Sequence, residues 1–468
     1  MVSKVIGIEL PPQGSLVEGF LEGSELIAKR RSSPRNLLFS LLFSVCLLGS
    51  AIGQDIRATR LDNGLMQLES VHLRLITDMP IDEAVESLPR VFDQAIEQWC
   101  SWFDVDVDRA EAVKVTAYLM LDRSRFVQLN LLPEDVSSLR HGYQIEDQLF
   151  LTDQPSDYYR RHLLLHEGTH WFIWKYLGGI GPPWLDEGTC ELLGTHVWEG
   201  GKLTLGVIPD SRVRFPYWGR LKWIRESFDQ QNVPRLQTIL NYNTITHRTD
   251  EPYAWSWAAV LFFKNHPRYK AAFDKTTHPR TDYSNRVDSN LKRQLVDSWP
   301  IVEAEWRIFL TELDYGFSPS HSMPDLKTTP LKPLEQKETR TVRSDRGWQS
   351  TGLVVQIGQR LRITSHGKTV IRAGETNKNK YDWNSEPQGI TLEFVNGQPL
   401  GRLVATIVPI TASAAEKTLA KLSAHPIGRS AVWTAPEEGV LLLKINEPSS
   451  ELFDNSGEIT VTIEQDAS

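Results

Sequence analysis

The sequence predicts an α+β protein in which a mixed α/β segment, a mainly helical segment and an all-β sandwich follow one another. Apolar residues recur with helical spacing over residues 82–103 and through much of residues 156–316. Beyond residue 339 apolar and polar residues alternate, which is the period of a β-strand. Four prolines in a polar stretch at residues 317–338 lie between the two patterns and predict a linker.

The first 53 residues are predicted to be an export signal rather than part of the fold. A basic stretch at residues 29–35 precedes an apolar run at residues 37–49, and Ala51 and Gly53 are small residues suited to a cleavage site. The run is short for a membrane-spanning helix. Cleavage near Gly53 and a secreted or cell-envelope location are therefore expected, with an uncleaved N-terminal membrane anchor as the alternative.

Residues 54–155 are predicted to form the α/β part of the first domain. Segments 71–77 and 113–121 are rich in residues that favour strands, and residues 82–103 have the spacing of a helix with one apolar face. A short strand is predicted at residues 148–152, immediately before the next helix.

Residues 160–170 contain the motif His-Glu-x-x-His, which carries the strongest functional signal in the chain. His166 and His170 are four residues apart, so on a helix both imidazoles lie on one face and can bind a single ion. Glu167 then lies beside a metal-bound water, whose proton it can accept. The motif predicts a zinc hydrolase, and a peptidase is the leading interpretation.

The helix that carries this motif has clear start and stop signals. Ser156 suits an N-cap, and Gly178 and Gly179 suit a C-terminal stop. His162 lies on the same face one turn before His166. It is either a competing ligand or a residue that supports the site without touching the metal.

A second helix is predicted to bring carboxylates back to the two histidines. Two prolines favour its start, and the segment Trp-Leu-Asp-Glu-Gly follows them. Glu187 comes 17 residues after His170, which is enough chain for a turn and an antiparallel helix. Asp186 and Glu191 are further carboxylates of the same helix.

The two motifs together resemble those of the gluzincins, zinc metallopeptidases with a peptidase MA-like domain, and the resemblance covers about residues 70–315. It implies that His166, His170 and Glu187 bind zinc, that Glu167 is the general base, and that the substrate is a peptide or protein. The spacing between the motifs is slightly shorter than in the best-known gluzincins, so the two neighbouring carboxylates are alternative third ligands.

A helix predicted at residues 251–263 begins with Pro252 and Tyr253 and continues as an apolar run. In several gluzincins a Pro-Tyr pair at such a place supplies a phenol that stabilises the oxyanion, so the resemblance implies this role for Tyr253. The gluzincin pattern often has Gly three residues later, where this chain has Ser256. His196 is the alternative oxyanion donor or supporting residue.

The predicted strand at residues 148–152 is similar in position to the edge strand of the gluzincins, which pairs with the substrate backbone. The order of a strand followed by the His-Glu-x-x-His helix carries this similarity. An edge strand here predicts that a peptide binds by adding a strand to the sheet.

Residues 339–468 are predicted to form a β-sandwich. Gly, Asn and Asp separate the alternating segments, as turn residues do. The predicted strands are residues 353–357, 360–364, 391–395, 403–407, 441–445 and 458–463.

The same region resembles a bacterial galactophilic lectin module of jelly-roll type. The matching segments are residues 347–352, 386–389, 399–402, 445–447 and 454–457. The resemblance implies a jelly-roll-like sandwich, a calcium site formed by Glu447, Asp454 and Asn455, and galactoside-type glycans as ligands. The chain departs from the lectins at Glu447, where they carry Asp, and it has no clear counterpart of their sugar-contacting His.

The composition argues against several other functions. A formal net charge of −8 without a basic stripe argues against a nucleic-acid partner. Only Cys100 and Cys190 follow the predicted signal, so stability is expected to come from hydrophobic cores rather than from a disulfide framework. No later apolar run is long enough to span a membrane, so no stable span is expected after signal cleavage.

Two functions from different classes fit these patterns. The leading one is an exported zinc-dependent peptidase with an accessory carbohydrate-binding-like sandwich. The alternative is a non-catalytic cell-envelope binding protein in which zinc is structural and the sandwich carries the function. Glu167 favours the peptidase, because a structural zinc site has no use for that carboxylate.

Overall fold

The computed structural model describes most of the chain that follows the predicted export signal. The described residues are 56–110, 113–133, 141–277, 287–295, 298–374, 381–410 and 418–466. The predicted signal at residues 1–53 and its cleavage site lie outside them.

The N-terminal part is a six-stranded mixed sheet with helices beside it. Its strands are β1 (Arg57–Arg60), β2 (Met66–Glu69), β3 (Leu73–Thr77), β4 (Val115–Met120), β5 (Gly142–Ile145) and β6 (Gln148–Thr152), in the spatial order β1-β2-β3-β4-β6-β5. The pairs β3–β4 and β4–β6 are parallel, and the other pairs are antiparallel. Helices α1 (Glu83–Phe103) and α2 (Arg123–Gln128) lie in the connections.

The prediction that residues 148–152 form the edge strand is wrong. β6 lies between β4 and β5, and β5 is the last strand of this sheet in the part of the chain that the structure describes. Glu146 adopts a left-handed backbone conformation with φ 48° and closes a tight hairpin between β5 and β6. The four residues of β5 are too few for a recognisable alternation in the sequence.

A mainly helical part follows the sheet. Its elements are α3 (Asp157–Leu177), α4 (Pro183–Gly194), β7 (His196–Glu199), β8 (Lys202–Leu205), α5 (Arg220–Asp229), β9 (Val233–Pro234), α6 (Leu236–Ile239), α7 (Glu251–Asn265), α8 (Lys270–Thr277), α9 (Val287–Leu295), α10 (Trp299–Glu312) and α11 (Pro319–Ser322). The predicted boundaries of α3 are confirmed: the Ser156 hydroxyl accepts a hydrogen bond from Tyr159 N, and Gly178 ends the helix with φ 72°. Among the described residues no helix has the length and apolar character needed to cross a membrane.

The C-terminal part is built from two β-sheets that share one core. Its strands are β10 (Lys332–Pro333), β11 (Glu338–Arg343), β12 (Gln349–Val355), β13 (Arg360–Arg372), β14 (Trp383–Ser385), β15 (Gln388–Val395), β16 (Gln398–Val408), β17 (Thr418–Leu419), β18 (His425–Pro426), β19 (Ser430–Thr434), β20 (Gly439–Ile445) and β21 (Ser456–Gln465). One sheet has the order β10-β12-β20-β16-β15, and the other β11-β21-β13-β14. Leu403 and Leu443 from the first sheet pack with Ile363 and Val461 from the second. The predicted α+β class is confirmed; the jelly-roll connectivity stays a prediction.

The helical part and the β-sheets are in direct contact within one compact unit, residues 54–468. Ile301 and Ile308 of α10 belong to an apolar cluster with Val404 and Leu442 of the sheets. β17 pairs with β9. The proline-rich stretch at residues 317–338 contains α11 and β10, and its apolar side chains Phe317, Leu326 and Leu334 are buried. The division into separate domains stays a prediction.

Candidate metal centre

The two motif histidines and Glu187 converge on one point between α3 and α4. The Nε2 atoms of His166 and His170 are 3.2 Å apart. Glu187 Oε2 lies 3.4 Å from His166 Nε2 and 3.3 Å from His170 Nε2. The three atoms therefore form a nearly equilateral triangle of donors that could hold a metal ion.

The other ring nitrogens of these histidines face two further carboxylates. His166 Nδ1 lies 3.3 Å from Glu191 Oε1, and His170 Nδ1 lies 3.6 Å from Asp186 Oδ1. Metal-binding histidines commonly donate their second N–H to a carboxylate, which fixes the ring and its tautomer. The two alternative third ligands thus lie behind the histidines, within ion-pair distance of the rings, and Glu187 lies on the converging side.

Arg220 of α5 fixes the position of Glu191. Its Nε and Nη2 atoms donate to Glu191 Oε2 and Oε1 at 2.8 and 2.7 Å, and both side chains are buried. Burial alone would raise the pKa of Glu191, but Arg220 and His162 hold it well below its usual range. Sequence reasoning missed Arg220, because a single arginine 29 residues further along the chain has no local signal that ties it to a metal site.

His162 belongs to a second group of donors, formed with His166 and Glu191. Its Nε2 atom is 3.5 Å from Glu191 Oε2, and the side chain is fully buried. The ion pair between Glu191 and Arg220 disfavours a cation here, because the guanidinium charge would be its immediate neighbour. Burial lowers the pKa of His162, so the ring is a neutral support beneath the converging donors.

Protons and the metal compete for the converging donors. Burial alone would lower the pKa of His166, but Glu187 and Glu191 outweigh it and raise the pKa to about 9. Burial would raise the pKa of Glu187, but His170 and His166 hold it well below its usual range. A metal requires unprotonated imidazoles, so its binding at neutral pH must release protons.

Glu167 is buried between the converging donors, whose charges act on it, and the edge of the sheet. A Cβ atom added to Gly142 of β5 would lie 2.5 Å from Glu167 Oε1 and 2.9 Å from Leu163 Cδ1. Only glycine therefore permits β5 to approach this carboxylate. Burial raises the pKa of Glu167, although His166 and His170 oppose the rise. The carboxylate thus has the raised basicity that a proton acceptor needs.

Tyr253, at the start of α7, also lies beside the centre. Its ring centroid is 6.1 Å from that of His166, and the guanidinium carbon of Arg220 is 5.8 Å from the Tyr253 ring. Burial raises the pKa of the Tyr253 hydroxyl, and the charges of Glu187, Glu191 and Glu167 raise it further. The hydroxyl is therefore a neutral hydrogen-bond donor at physiological pH.

His196, the alternative oxyanion donor, is occupied by other contacts. Its ring stacks on Tyr158 with centroids 4.7 Å apart. Nδ1 is 2.9 Å from Gly194 O, and Nε2 accepts a hydrogen bond from Arg161 Nε at 3.3 Å. Burial lowers the pKa of His196 to about 3. These contacts leave no ring N–H for a substrate, which favours Tyr253.

The three predicted calcium ligands also lie together. Asn455 donates its amide hydrogens to Glu447 Oε2 and, at 2.9 Å, to Ser344 O. Asp454 Oδ2 accepts a hydrogen bond from Ala373 N at 3.1 Å. Within the described residues, the buried atoms Glu447 Oε1 and Asn455 Oδ1 have no hydrogen-bond partner. Buried oxygens without partners are costly unless a cation or water satisfies them.

The surroundings of Glu447 favour its neutral form. Burial raises its pKa to about 8, with a further rise from the charges of Glu451 and Asp454, while the hydrogen bond from Asn455 opposes the shift. A bound cation would reverse this preference, because it stabilises the ionised carboxylate.

Comparisons with known proteins do not assign the chain to a family. No protein-family model matches the chain, and no curated protein matches it. Among solved structures, the chain is similar to one described as "EclA N-terminal domain; PllA-like lectin". The match is 20% identical, covers 28% of this chain and 98% of that chain, and has a TM-score of 0.20. A TM-score of this size does not establish a shared fold.

Proposed function

We propose that this protein is a zinc-dependent peptidase. One observation carries the proposal: two histidines and a glutamate converge on a single point while a second, buried glutamate lies beside them. Two histidines and a glutamate form a known ligand set of catalytic zinc, which keeps a further position open. A structural zinc site would close that position with a fourth protein ligand.

The spacing of the donors supports zinc as the ion. Tetrahedral zinc with bonds of about 2.0–2.1 Å separates its donors by about 3.3–3.4 Å. The observed separations are 3.2, 3.3 and 3.4 Å. The donors are two imidazole nitrogens and one carboxylate oxygen. This set suits zinc better than calcium or magnesium, which bind mainly oxygen ligands.

In the proposed reaction Glu167 transfers a proton from the attacking water to the leaving amine. His166, His170 and Glu187 would hold the zinc, which would supply Lewis acidity to lower the pKa of water and polarise a carbonyl. Glu167 accepts the proton of the attacking water and then delivers it to the leaving amine. The Tyr253 hydroxyl donates a hydrogen bond to the oxyanion that develops on the substrate carbonyl.

The free edge of β5 is the proposed site for the substrate backbone. β5 is terminal in its sheet among the described residues, and Gly142 brings it into contact with Glu167. An extended peptide that adds a strand to this edge passes beside the proton acceptor. We therefore propose that the peptide binds at an edge strand, with β5 in place of β6.

We also propose that the protein is exported, on the basis of the sequence of residues 1–53. Its basic stretch, apolar run and small residues before Gln54 suit a signal peptide. The proposed location is secreted or cell-envelope, with membrane attachment by an uncleaved segment as the alternative.

Metal analysis of the purified chain together with a peptide-library digest tests the peptidase directly. We expect one zinc per chain and cleavage that stops in a chelator and returns with zinc. Glu167→Gln, which keeps the ligands, controls for a contaminating protease. Zinc without cleavage of any peptide would instead support the non-catalytic binding protein.

Replacing Tyr253 with Phe should lower kcat by roughly tenfold to a thousandfold and leave KM nearly unchanged, because the hydroxyl acts only on the developing oxyanion. Steady-state kinetics on one cleaved peptide measure both constants. His196→Phe is the matched control. A normal rate in Tyr253→Phe together with a slow His196→Phe would transfer the donor role to His196.

A second activity is proposed for the β-sandwich: binding of calcium and, through it, of galactoside-type glycans. The supporting observation is that Glu447 Oε1 and Asn455 Oδ1 are buried together without hydrogen-bond partners among the described residues. Calcium takes carboxylate and amide oxygens of this kind. Retention on a galactoside column, with and without chelator, tests the glycan.

The stability that Glu447 contributes to the chain in a chelator should fall as the pH rises from about 5 to 8. The pKa of Glu447 is about 8 in the folded protein, against about 4.3 for an unperturbed glutamate. The folded state therefore binds more protons at this carboxyl over this range, and the contribution of Glu447 to the free energy of unfolding decreases with pH. The buried ring of His196, whose pKa is lowered to about 3, acts in the opposite direction below about pH 6.5.

Thermal melts measure this effect. Glu447→Gln is neutral at every pH, so its stability relative to wild type should rise with pH over this range. Calcium should raise the melting temperature of wild type, most strongly near pH 8, and Glu447→Gln and Asp454→Ala should reduce that increment. Identical melting of wild type in calcium and in chelator would contradict the calcium site.

A further inference from the structure

α4 and α7 pack together beside the candidate centre, and one point of their contact is especially close. A Cβ atom added to Gly188 would lie 2.3 Å from the backbone oxygen of Ser256, so the two helices approach as closely as a glycine permits. Gly188 follows Glu187 directly, and Ser256 lies three residues, about one helical turn, after Tyr253. The contact therefore fixes the helix that carries Tyr253 against the helix that carries Glu187.

His247 joins this contact from the loop before α7. Its Nε2 atom is 2.9 Å from Ser256 Oγ, and its Nδ1 atom is 3.2 Å from Asn243 O. A backbone carbonyl can only accept, so Nδ1 carries the proton and Nε2 accepts the hydroxyl hydrogen of Ser256. Burial lowers the pKa of His247, although the charge of Glu187 opposes the shift, and this agrees with a neutral ring.

The His247 ring also packs against the ring of Tyr253. It lies edge-on to the Tyr253 ring with centroids 5.2 Å apart, and it meets Tyr242 in a similar way at 5.8 Å. His247 and Ser256 are both buried. Edge-on aromatic contacts and buried hydrogen bonds both restrict a neighbouring ring to one orientation.

We infer that His247, held by Ser256, is a positioning residue that orients the Tyr253 hydroxyl toward the candidate centre. The inference rests on the proposed function of Tyr253 as oxyanion donor. His247 is not itself the donor, because Asn243 and Ser256 occupy both of its ring nitrogens. It acts through the tyrosine.

A double-mutant cycle between His247→Phe and Tyr253→Phe tests this role. Phe keeps the ring but loses both hydrogen bonds, and Ser256→Ala removes one of the same bonds from the other side. Each change should lower kcat about 3- to 30-fold, the range expected for coupled neighbours, with KM and zinc content unchanged. In the Tyr253→Phe background the same changes should alter kcat less than about twofold.

A second readout does not require catalysis. Fluorotyrosine incorporation gives a ¹⁹F resonance for each of the 12 tyrosines, and the Tyr253 resonance is the one absent from Tyr253→Phe. His247→Phe and Ser256→Ala should shift or broaden this resonance. His425→Phe, a change to a histidine that stacks on Trp433 in the sandwich, should leave it unchanged.

An unchanged Tyr253 resonance in both variants would overturn the inference, as would kinetic effects that simply add to those of Tyr253→Phe. If zinc-loaded wild type cleaves no peptide, the proposed function fails, and the ¹⁹F spectra still decide whether His247 orients Tyr253. Ser256→Ala keeps the small side chain at the helix contact, so it separates loss of the hydrogen bond from loss of packing.

Discussion

Replacing Glu167 with Gln should leave one zinc bound per chain and lower kcat by about 10²–10⁴-fold, the usual contribution of a general acid–base residue. The amide has nearly the same shape as the carboxylate and fits beside Gly142, but it cannot accept the proton of the attacking water. Elemental analysis measures the zinc, and single-turnover cleavage of a good peptide substrate measures the chemical step.

Glu97→Gln is a suitable control, because it makes the same chemical change on the exposed face of α1. It should retain wild-type kinetics. A Glu167→Gln protein that cleaves at the wild-type rate would refute the peptidase mechanism even if zinc is present.

Replacing Glu187 with Ala should abolish stoichiometric zinc binding, and His166→Ala and His170→Ala should do the same. Each change removes one corner of the donor triangle, and two remaining ligands do not hold zinc against dilution. Asp186→Ala should instead weaken zinc binding by about 10–100-fold, because that carboxylate only orients His170. Competition with a chelator of known affinity measures both effects.

This experiment also separates the two groups of donors around His166. If Glu187→Ala binds zinc as tightly as wild type and His162→Ala loses it, the ion is held by His162, His166 and Glu191. The pairing of Glu191 with Arg220 argues for the opposite result.

The elements that carry the candidate centre could be predicted because their signals are local. Ser156 and Gly178 mark the ends of α3, and the spacing of His166 and His170 within that helix places both on one face. The return of Glu187 to the histidines follows from a short turn between two helices. These features depend on residues that are close in sequence.

The remaining parts of the site depend on contacts between distant segments. Arg220 reaches Glu191 from α5, and His247 reaches Ser256 from a loop. A single arginine or histidine in an irregular stretch has no periodicity that could reveal such a partner. The edge strand was misplaced for a related reason, because β5 has only four residues and is recognisable only by its pairing with β6.

The strands of the C-terminal region could be predicted from their alternation, but their contact with α10 could not. Alternation shows that one face of a strand is buried and does not show what covers it. Val404 and Leu442 face Ile301 and Ile308 of α10 rather than the space between the two sheets. The polar, proline-rich composition of residues 317–338 suggested a spacer and gave no sign of this contact.

The contact between α10 and the sandwich determines how the proposed glycan-binding module would assist the proposed peptidase. Glu312 of α10 pairs with buried Lys444 and accepts a hydrogen bond from Trp348 Nε1 at 2.8 Å, and β17 pairs with β9 nearby. A module held in this way would be fixed rigidly relative to the candidate centre and would not move on a flexible linker. It would raise the local concentration only of cleavage sites that lie at one fixed distance from a glycan. At other distances the glycan and the peptide could not be bound at the same time, and the gain from avidity would be lost.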